Sequence, residues 1–379
     1  MEFNLNQEQK LIKSTARDFA NKELYPDAVL RDNEKIWPKD AVKKMGDLGF
    51  MGMMVSPAYN GGGMDTISYA IAMEEISRVD ASASVIMSVN NSLVCYLLEK
   101  YASEFVKEKY LKQLASGKKL GAFSLSEPQS GSDASNMLTT AIKDGNNYIL
   151  KGTKNWVTNG LHSDYVLVFA MTSTGIGHKG ISCFLVEKKY EGFDVGKPED
   201  KLGIKSSDTT ELYFDEVKVP CENLIGNEGD GFKIALSTLD GGRIGIASQA
   251  LGIAKAALDF SVSYSKERKQ FNKPIAANQA IQFKLADMAM GIETARLLIY
   301  KAAWAKDHNQ DFSSLASMAK VYASEVAMKA STDCVQIHGG YGYIVETGVE
   351  RLMRDAKITQ IYEGTSEIQR VVIARNLLK

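Results

Sequence analysis

Apolar residues recur with a helical period at both ends of this chain and fall into short strand-like runs between them. Within residues 1–120, Asn6 of Asn4-Leu5-Asn6-Gln7-Glu8-Gln9 is a candidate helix N-cap. Pro38 in Trp37-Pro38-Lys39-Asp40 suits a first helical turn, with Ala41 to Leu48 as the helix that follows. After the breaker Asn60-Gly61-Gly62-Gly63, the positions Ile67, Ala70, Ile71, Met73, Ile76 and Val79 predict an amphipathic helix. Ser84 to Tyr101 is apolar on several faces and predicts a buried helix, in which Asn90 and Asn91 must find partners or line a cavity.

The period changes near residue 121. Asp144-Gly145 between two strand-like runs predicts a hairpin, and Tyr165 to Met171, Ile181 to Val186 and Glu211 to Phe214 are further strand candidates. From Gly229 the helical period returns. Ile281, Leu285, Met288, Ile292, Ala295, Ile299 and Ala302 step by four and three, a seam for helix-on-helix packing. Ser313 to Ile337 is a second long helix, broken by Gly339-Gly340. With Gly229 to Ser265 and the last segment, it makes a four-helix bundle. The expected class is multidomain α+β: an α-helical domain over 1–120, a β-barrel or sandwich over 121–227, and a helical bundle over 228–379.

Composition narrows the function classes. A length of 379 residues suits two or three domains, and 45% hydrophobic with 24% charged residues describes a globular protein. Lys+Arg of 45 against Asp+Glu of 46 leaves a net charge of -1, which points to neither nucleic acid nor a membrane surface. Cys95, Cys183, Cys221 and Cys334 are scattered without a CxxC. His162, His178, His308 and His338 are too few for a His-based metal centre, so no metal is expected. The start, Met1-Glu2-Phe3-Asn4-Leu5, does not read as a secretory leader, and no run reads as a bilayer span. A cytoplasmic location is expected. Gly175-Ile176-Gly177-His178-Lys179-Gly180 matches a dinucleotide fingerprint, but the strand-like Ile181 to Val186 follows where a helix is required. A hairpin loop is the better reading.

Candidate chemistry sits in five stretches. In Ile361-Tyr362-Glu363-Gly364-Thr365-Ser366-Glu367 a carboxylate precedes a glycine turn that a bulky ligand can approach, and Thr365 or Ser366 can cap the helix that follows. Phe123-Ser124-Leu125-Ser126-Glu127-Pro128-Gln129-Ser130-Gly131-Ser132-Asp133 is a hydroxyl-rich loop able to bond a heteroaromatic edge or a diphosphate. Trp156 and Thr158 share a strand face, so a ring can stack while a hydroxyl bonds one ligand nitrogen. Asp240 and Arg243 share a helix face across Gly241-Gly242 and can simply pair. Arg268, Phe271 and Gln279 occupy a basic inter-helix segment, and Gln336 to Gly340 ends a helix in a glycine turn. Taken singly, each has a bland structural explanation.

In this order, the stretches resemble the acyl-CoA dehydrogenase family of flavoproteins over essentially the whole chain, including Asn60-Gly61-Gly62-Gly63 and Met353-Arg354-Asp355-Ala356. Within that family the chain looks most like the bacterial short-chain, butyryl-CoA type. The resemblance implies FAD as cofactor. Phe123 belongs with the cofactor loop; Ser126 and Ser132 would bond the flavin edge and pyrophosphate, with Ser132 also touching CoA. Trp156 would lie against the ring and Thr158 would bond flavin N5. Asp240 and Arg243 would contact CoA. Arg268, Phe271, Gln279, Gln336, Gly339 and Gly340 would hold the adenine half of an FAD bound mainly to a neighbouring subunit, implying a homodimer or homotetramer. Thr365 and Glu367 would complete the FAD site, and Gly364 would make room for the thioester. Glu363 would be the base, taking the α-proton while the β-hydrogen leaves as hydride to flavin N5. Gly242 leaves the family's rival base position empty. The implied product is a trans-2-enoyl-CoA, with electrons passed to electron-transfer flavoprotein. An acyl-CoA oxidase and a non-catalytic CoA-binding protein are rival readings, separable by oxygen turnover and by flavin colour.

Overall fold

The computed structural model describes residues 4–378, so the Met1-Glu2-Phe3 of the N-terminal reading lies outside the described residues. Helix α1 (Gln7–Phe19) starts at Asn6, whose side chain accepts from Gln9 N while the Gln9 side chain accepts from Asn6 N. Pro38 stands just outside α2 (Lys39–Asp47), as its cap rather than in its first turn. Helix α3 (Thr66–Ser77) is buried on almost every face and so is not amphipathic, because it is packed between α1 and two long C-terminal helices.

Helix α4 (Ala81–Tyr101) contains a π-helical stretch, Val89–Cys95. Contrary to the sequence expectation, it is long and apolar enough to cross a membrane, with a mean hydropathy of 1.4. Yet 94% of that window is buried inside the protein, which makes it a core helix. Asn90 and Asn91 are buried and find partners. The Asn90 side chain donates to Met51 O (2.8 Å) and Leu114 O (3.1 Å) and accepts from Gly121 N (3.0 Å). The Asn91 side chain donates to Phe50 O (2.7 Å) and accepts from Met53 N (2.8 Å). The two amides satisfy loop backbone that would otherwise be buried unpaired.

The middle region holds β1 (Gly121–Ser124), β2 (Thr140–Asp144), β3 (Asn147–Thr158), β4 (Tyr165–Met171), β5 (Ile181–Glu187), β6 (Phe193–Val195), β7 (Thr209–Pro220) and β8 (Leu224–Ile225). Their order is β6-β7-β3-β2-β4-β5-β8, with β1 parallel to β4, and β2 meets β4 only at Thr140–Met171. The sheet folds back there, so Leu150, Val157, Leu212 and Val217 pack against Val166, Val168 and Phe184 in a sandwich core. The alternate residues of β4 and β5, such as Leu167, Phe169 and Leu185, face the helices instead. That double burial explains why both strands are continuously apolar. The β2–β3 turn is Gly145-Asn146, one residue later than the Asp144-Gly145 pair suggested, and residues 175–180 form the β4–β5 loop.

The C-terminal layer comprises α5 (Gly231–Glu267), α6 (Gln279–Asp307), α7 (Ser313–His338), α8 (Val349–Ile358) and α9 (Ser366–Leu377). Helices α5, α6 and α7 pack against one another, and α8 and α9 both close on α7. Met288, Ile292, Ala295, Ile299 and Ala302 form a buried seam on α6, while Ile281 and Leu285 are only partly covered. Another face of α6 leaves Phe283, Met290, Leu297 and Trp304 exposed at seven-residue spacing.

Candidate active site

Glu363 lies in the turn between α8 and α9. It has φ 51 and is followed by Gly364 at φ 91, so two consecutive residues are left-handed. For a glutamate that conformation costs roughly 1–2 kcal/mol. The turn is held from two sides. Gln369 Nε2 donates to Glu363 O (3.1 Å) and Gly364 O (2.9 Å), and Lys320 Nζ donates to Gly364 O (2.7 Å). Thr365 caps α9 by accepting from Ile368 N. A Cβ at position 364 would lie 2.4 Å from Gln369 Nε2, so glycine is required there on steric as well as conformational grounds.

The turn aims the Glu363 carboxyl at α5. A Cβ on Gly242 would fall 2.2 Å from Glu363 Oε2 and 2.8 Å from Leu93 Cδ2, so the missing side chain is the space the carboxyl occupies. Oε2 is buried and has no hydrogen-bond partner. Burial pushes the Glu363 carboxyl up to about 7, against the pull of Lys320 and Arg243. Burial likewise brings Lys320 down to about 7, with Glu363 opposing. Arg243 is buried and pairs with Asp240, and its guanidinium also donates to Ser317 Oγ (3.3 Å). On the far side, Tyr69 OH donates to Ser88 Oγ (3.0 Å), and a Cβ on Gly245 would come within 2.6 and 2.7 Å of those two oxygens. Tyr362 OH donates to Gln249 Oε1. A carboxyl oxygen buried without a partner, on a group pushed up to about 7, is equipped to take a weakly acidic proton.

A second group gathers around β1 and β3. Lys154 Nζ pairs with Glu127 (2.9 Å) in complete burial and also donates to Leu125 O (3.0 Å). Glu127 in turn accepts from Leu138 N (2.6 Å) and Thr139 N (3.0 Å), and Lys154 holds it down to about 2. This pair ties down the loop carrying Ser126, which is half-buried, whereas Ser132 is exposed. Asn155 N donates to Ser126 O (2.9 Å), locking the loop to β3. The β3–β7 register slips between Lys154 and Val157, and Trp156 sits in that bulge with φ 59 and 61% of its surface exposed. Val157 points inward, so Trp156 and Thr158 do share the outward side. Phe123 is half-buried and packs on Phe169, ring centroids 5.0 Å apart. Helix α4 joins this group to the first: Leu93 touches the Gly242 position and Val94 the Gly121 position.

A third group is separate. Arg268, Gly339 and Gly340 line a cavity of about 600 Å³ with Tyr264, His338 and Tyr341. Phe271, Gln279 and Gln336 do not line it; they stand exposed, Phe271 at 93%. Glu367 is also exposed, on the first turn of α9. The sequence reading missed Lys320, Gln369 and the Glu127–Lys154 pair. Lys320 left one signal, a lysine between apolar positions inside a long helical pattern. No metal-ligating cluster occurs among the described residues.

Three family descriptions match the chain in order: acyl-CoA dehydrogenase N-terminal domain over residues 6–118, middle domain over 122–217 and C-terminal domain over 229–378. The chain is 48% identical over 379 residues to a short-chain-specific acyl-CoA dehydrogenase of Clostridium acetobutylicum, covering 100% of both. Among solved structures, butyryl-CoA dehydrogenase from Megasphaera elsdenii superposes with a TM-score of 0.99 at 48% identity, covering 100% of both chains. A chain solved in work on the electron transferring flavoprotein of Acidaminococcus fermentans superposes with a TM-score of 0.99 at 50% identity, again covering 100% of both.

Proposed function

This chain belongs to the acyl-CoA dehydrogenase family of FAD-dependent oxidoreductases, and from that premise we propose that it converts a short-chain acyl-CoA, butyryl-CoA first among them, to the trans-2-enoyl-CoA with Glu363 as base. The observation that carries the reading is the buried, unpartnered Glu363 Oε2 lying in space that only a glycine at 242 leaves open. The names of the bacterial relatives support the short acyl class. Tyr69 and Ser88 approach α5 closely at Gly245, one helical turn from Gly242, which agrees with a short chain.

The donor set fits FAD. Trp156 is held outward in a strained left-handed conformation, and a bulky residue keeps such strain only where the surroundings impose it. Ser126 is tied to β3 beside it through Asn155 N, Phe123 lies on β1, which packs on β3, Thr158 follows it by two residues, and Thr365 lies two residues from Glu363. Arg268 and the Gly339-Gly340 turn bound a cavity suited to an anionic, flat ligand segment. FAD, when bound, supplies the acceptor for the β-hydride, and the two electrons then leave to an electron-transfer flavoprotein. Glu363 takes the α-proton as the C2–C3 double bond forms. Its left-handed turn presents the peptide N–H to the thioester oxygen, where enolate charge develops. Asp240, Arg243 and Ser132 orient the CoA portion, and Gly364 admits the thioester.

Phe271, Gln279 and Gln336 face outward near the Arg268 cavity, which supports their serving an FAD held mainly by a second subunit. The exposed Phe283, Met290, Leu297 and Trp304 stripe supports a homodimer or homotetramer. The four free cysteines suit a reducing cytoplasm.

Glu363→Gln should keep FAD and acyl-CoA binding but slow anaerobic flavin bleaching by about 10²–10⁴-fold. Near-normal bleaching in that variant removes Glu363 from the role.

A further inference from the structure

Helix α7 meets α5 through small residues: Ala316, Ser317, Ala319, Ala323, Ala327 and Ala330 are all buried. Lys320 stands in the middle of this stripe at 0% exposure. Burying an ammonium there is costly unless its charge has a use. The ammonium reaches Gly364 O at 2.7 Å, and with Gln369 Nε2 at 2.9 Å it fills both lone pairs of that carbonyl, next to the Glu363 residue. Lys320 is in no direct ion pair among the described residues, and the carboxyl that acts on it most strongly is Glu363.

The other groups facing Glu363 do not replace it. Arg243 of α5 is committed to Asp240, so its charge is largely answered. Tyr69 of α3 and Tyr362 of the same turn are neutral phenols driven further from ionisation by burial. Glu367 of α9 is exposed and adds negative charge near Lys320. Lys320 is therefore the one unanswered positive charge of α7 at the base.

Resting on the reading of Glu363 as base, we propose that Lys320 is a positioning residue for it: through Gly364 O it fixes the left-handed Glu363–Gly364 turn, and while protonated it favours the carboxylate form of the neighbouring Glu363. Without it, the Gly364 carbonyl keeps only the Gln369 side chain as donor among the described residues, and burial of the carboxyl goes less opposed.

The test compares Lys320→Met and Lys320→Gln holoenzymes with wild type, following anaerobic flavin bleaching by butyryl-CoA against pH. A second readout is the Glu363 carboxyl band in the infrared, assigned by difference from Glu363→Gln. Both lysine variants should move the bleaching midpoint and the carboxyl titration to higher pH by about one unit, the usual effect of one neighbouring charge. Lys320→Gln, which keeps a donor for Gly364 O, should retain more of the plateau rate than Lys320→Met. Unmoved midpoints with a lowered plateau overturn the inference alone, leaving Lys320 a structural residue. If neither variant folds, the wild-type titration decides: a Glu363 carboxyl band and a Lys320 ammonium signal that titrate as a coupled pair support the inference, and a Glu363 titration independent of Lys320 overturns it. Glu363→Gln that still bleaches normally overturns the assignment of the base, and the inference with it.

Discussion

At the scale of single residues, the site is defined by what Glu363 lacks. Its Oε2 has no partner, and its ionisation is balanced between burial and two cations. With Glu363 as the proposed base, which must be deprotonated to act, the bleaching rate should rise as pH passes through about 7 rather than through the ordinary carboxylate range near 4.5. A stopped-flow pH series checks this. Gly242→Ala places a methyl where Oε2 now sits, 2.2 Å away, and must displace the carboxyl. A misplacement of about 1 Å costs roughly 10²-fold. This variant should therefore lose about that much of kcat while keeping its FAD spectrum, as steady-state dye reduction will report.

At the scale of elements, the Glu127–Lys154 pair decides whether the β1–β2 loop and the β3 bulge hold their shape. Lys154→Met leaves Glu127 charged and buried without its partner, a change that typically costs about 3–5 kcal/mol. Urea unfolding should show that loss, together with weaker FAD retention. Glu127 is held down to about 2, so its contribution is present above its unfolded value of 4.5 and disappears as pH falls toward 2. Much of this layer was legible in the chain. Asn6, the β4 and β5 runs and the α6 seam follow from periodicity and capping, which are local properties. Helix α3 was misjudged because an amphipathic pattern does not show that a second layer covers the polar side; Glu74 and Glu75 are buried there by Arg296, Arg17 and Lys255. The bulge at Trp156 was hidden for the same reason, and the tight approach of Gly242 to Glu363 was implied only by the family resemblance and by no local pattern. Each depends on a partner far away in sequence, which no local rule reports.

At the scale of the whole molecule, the apolar faces are not all used within one chain. Phe283, Met290, Leu297 and Trp304 present a stripe at heptad spacing beside well-buried neighbours. Replacing Met290 and Leu297 with Glu should leave the monomer folded but shift sedimentation toward smaller species. On the proposed FAD site shared between subunits, FAD should then be lost more readily. A wild-type-like sedimentation profile in that double variant would assign the stripe no part in assembly.

The space at Gly242 also bears on how such a site can change over generations. Helix α5 and the Glu363 turn compete for one volume, and only one of them can fill it with a carboxylate. A glutamate gained at 242 while Glu363 remains meets a clash of like charges, and Glu363 lost first leaves no base. Substitutions at these two positions are therefore strongly epistatic. Moving the base between them means crossing a valley of inactive single mutants, so Gly242 preserves Glu363 simply by staying empty.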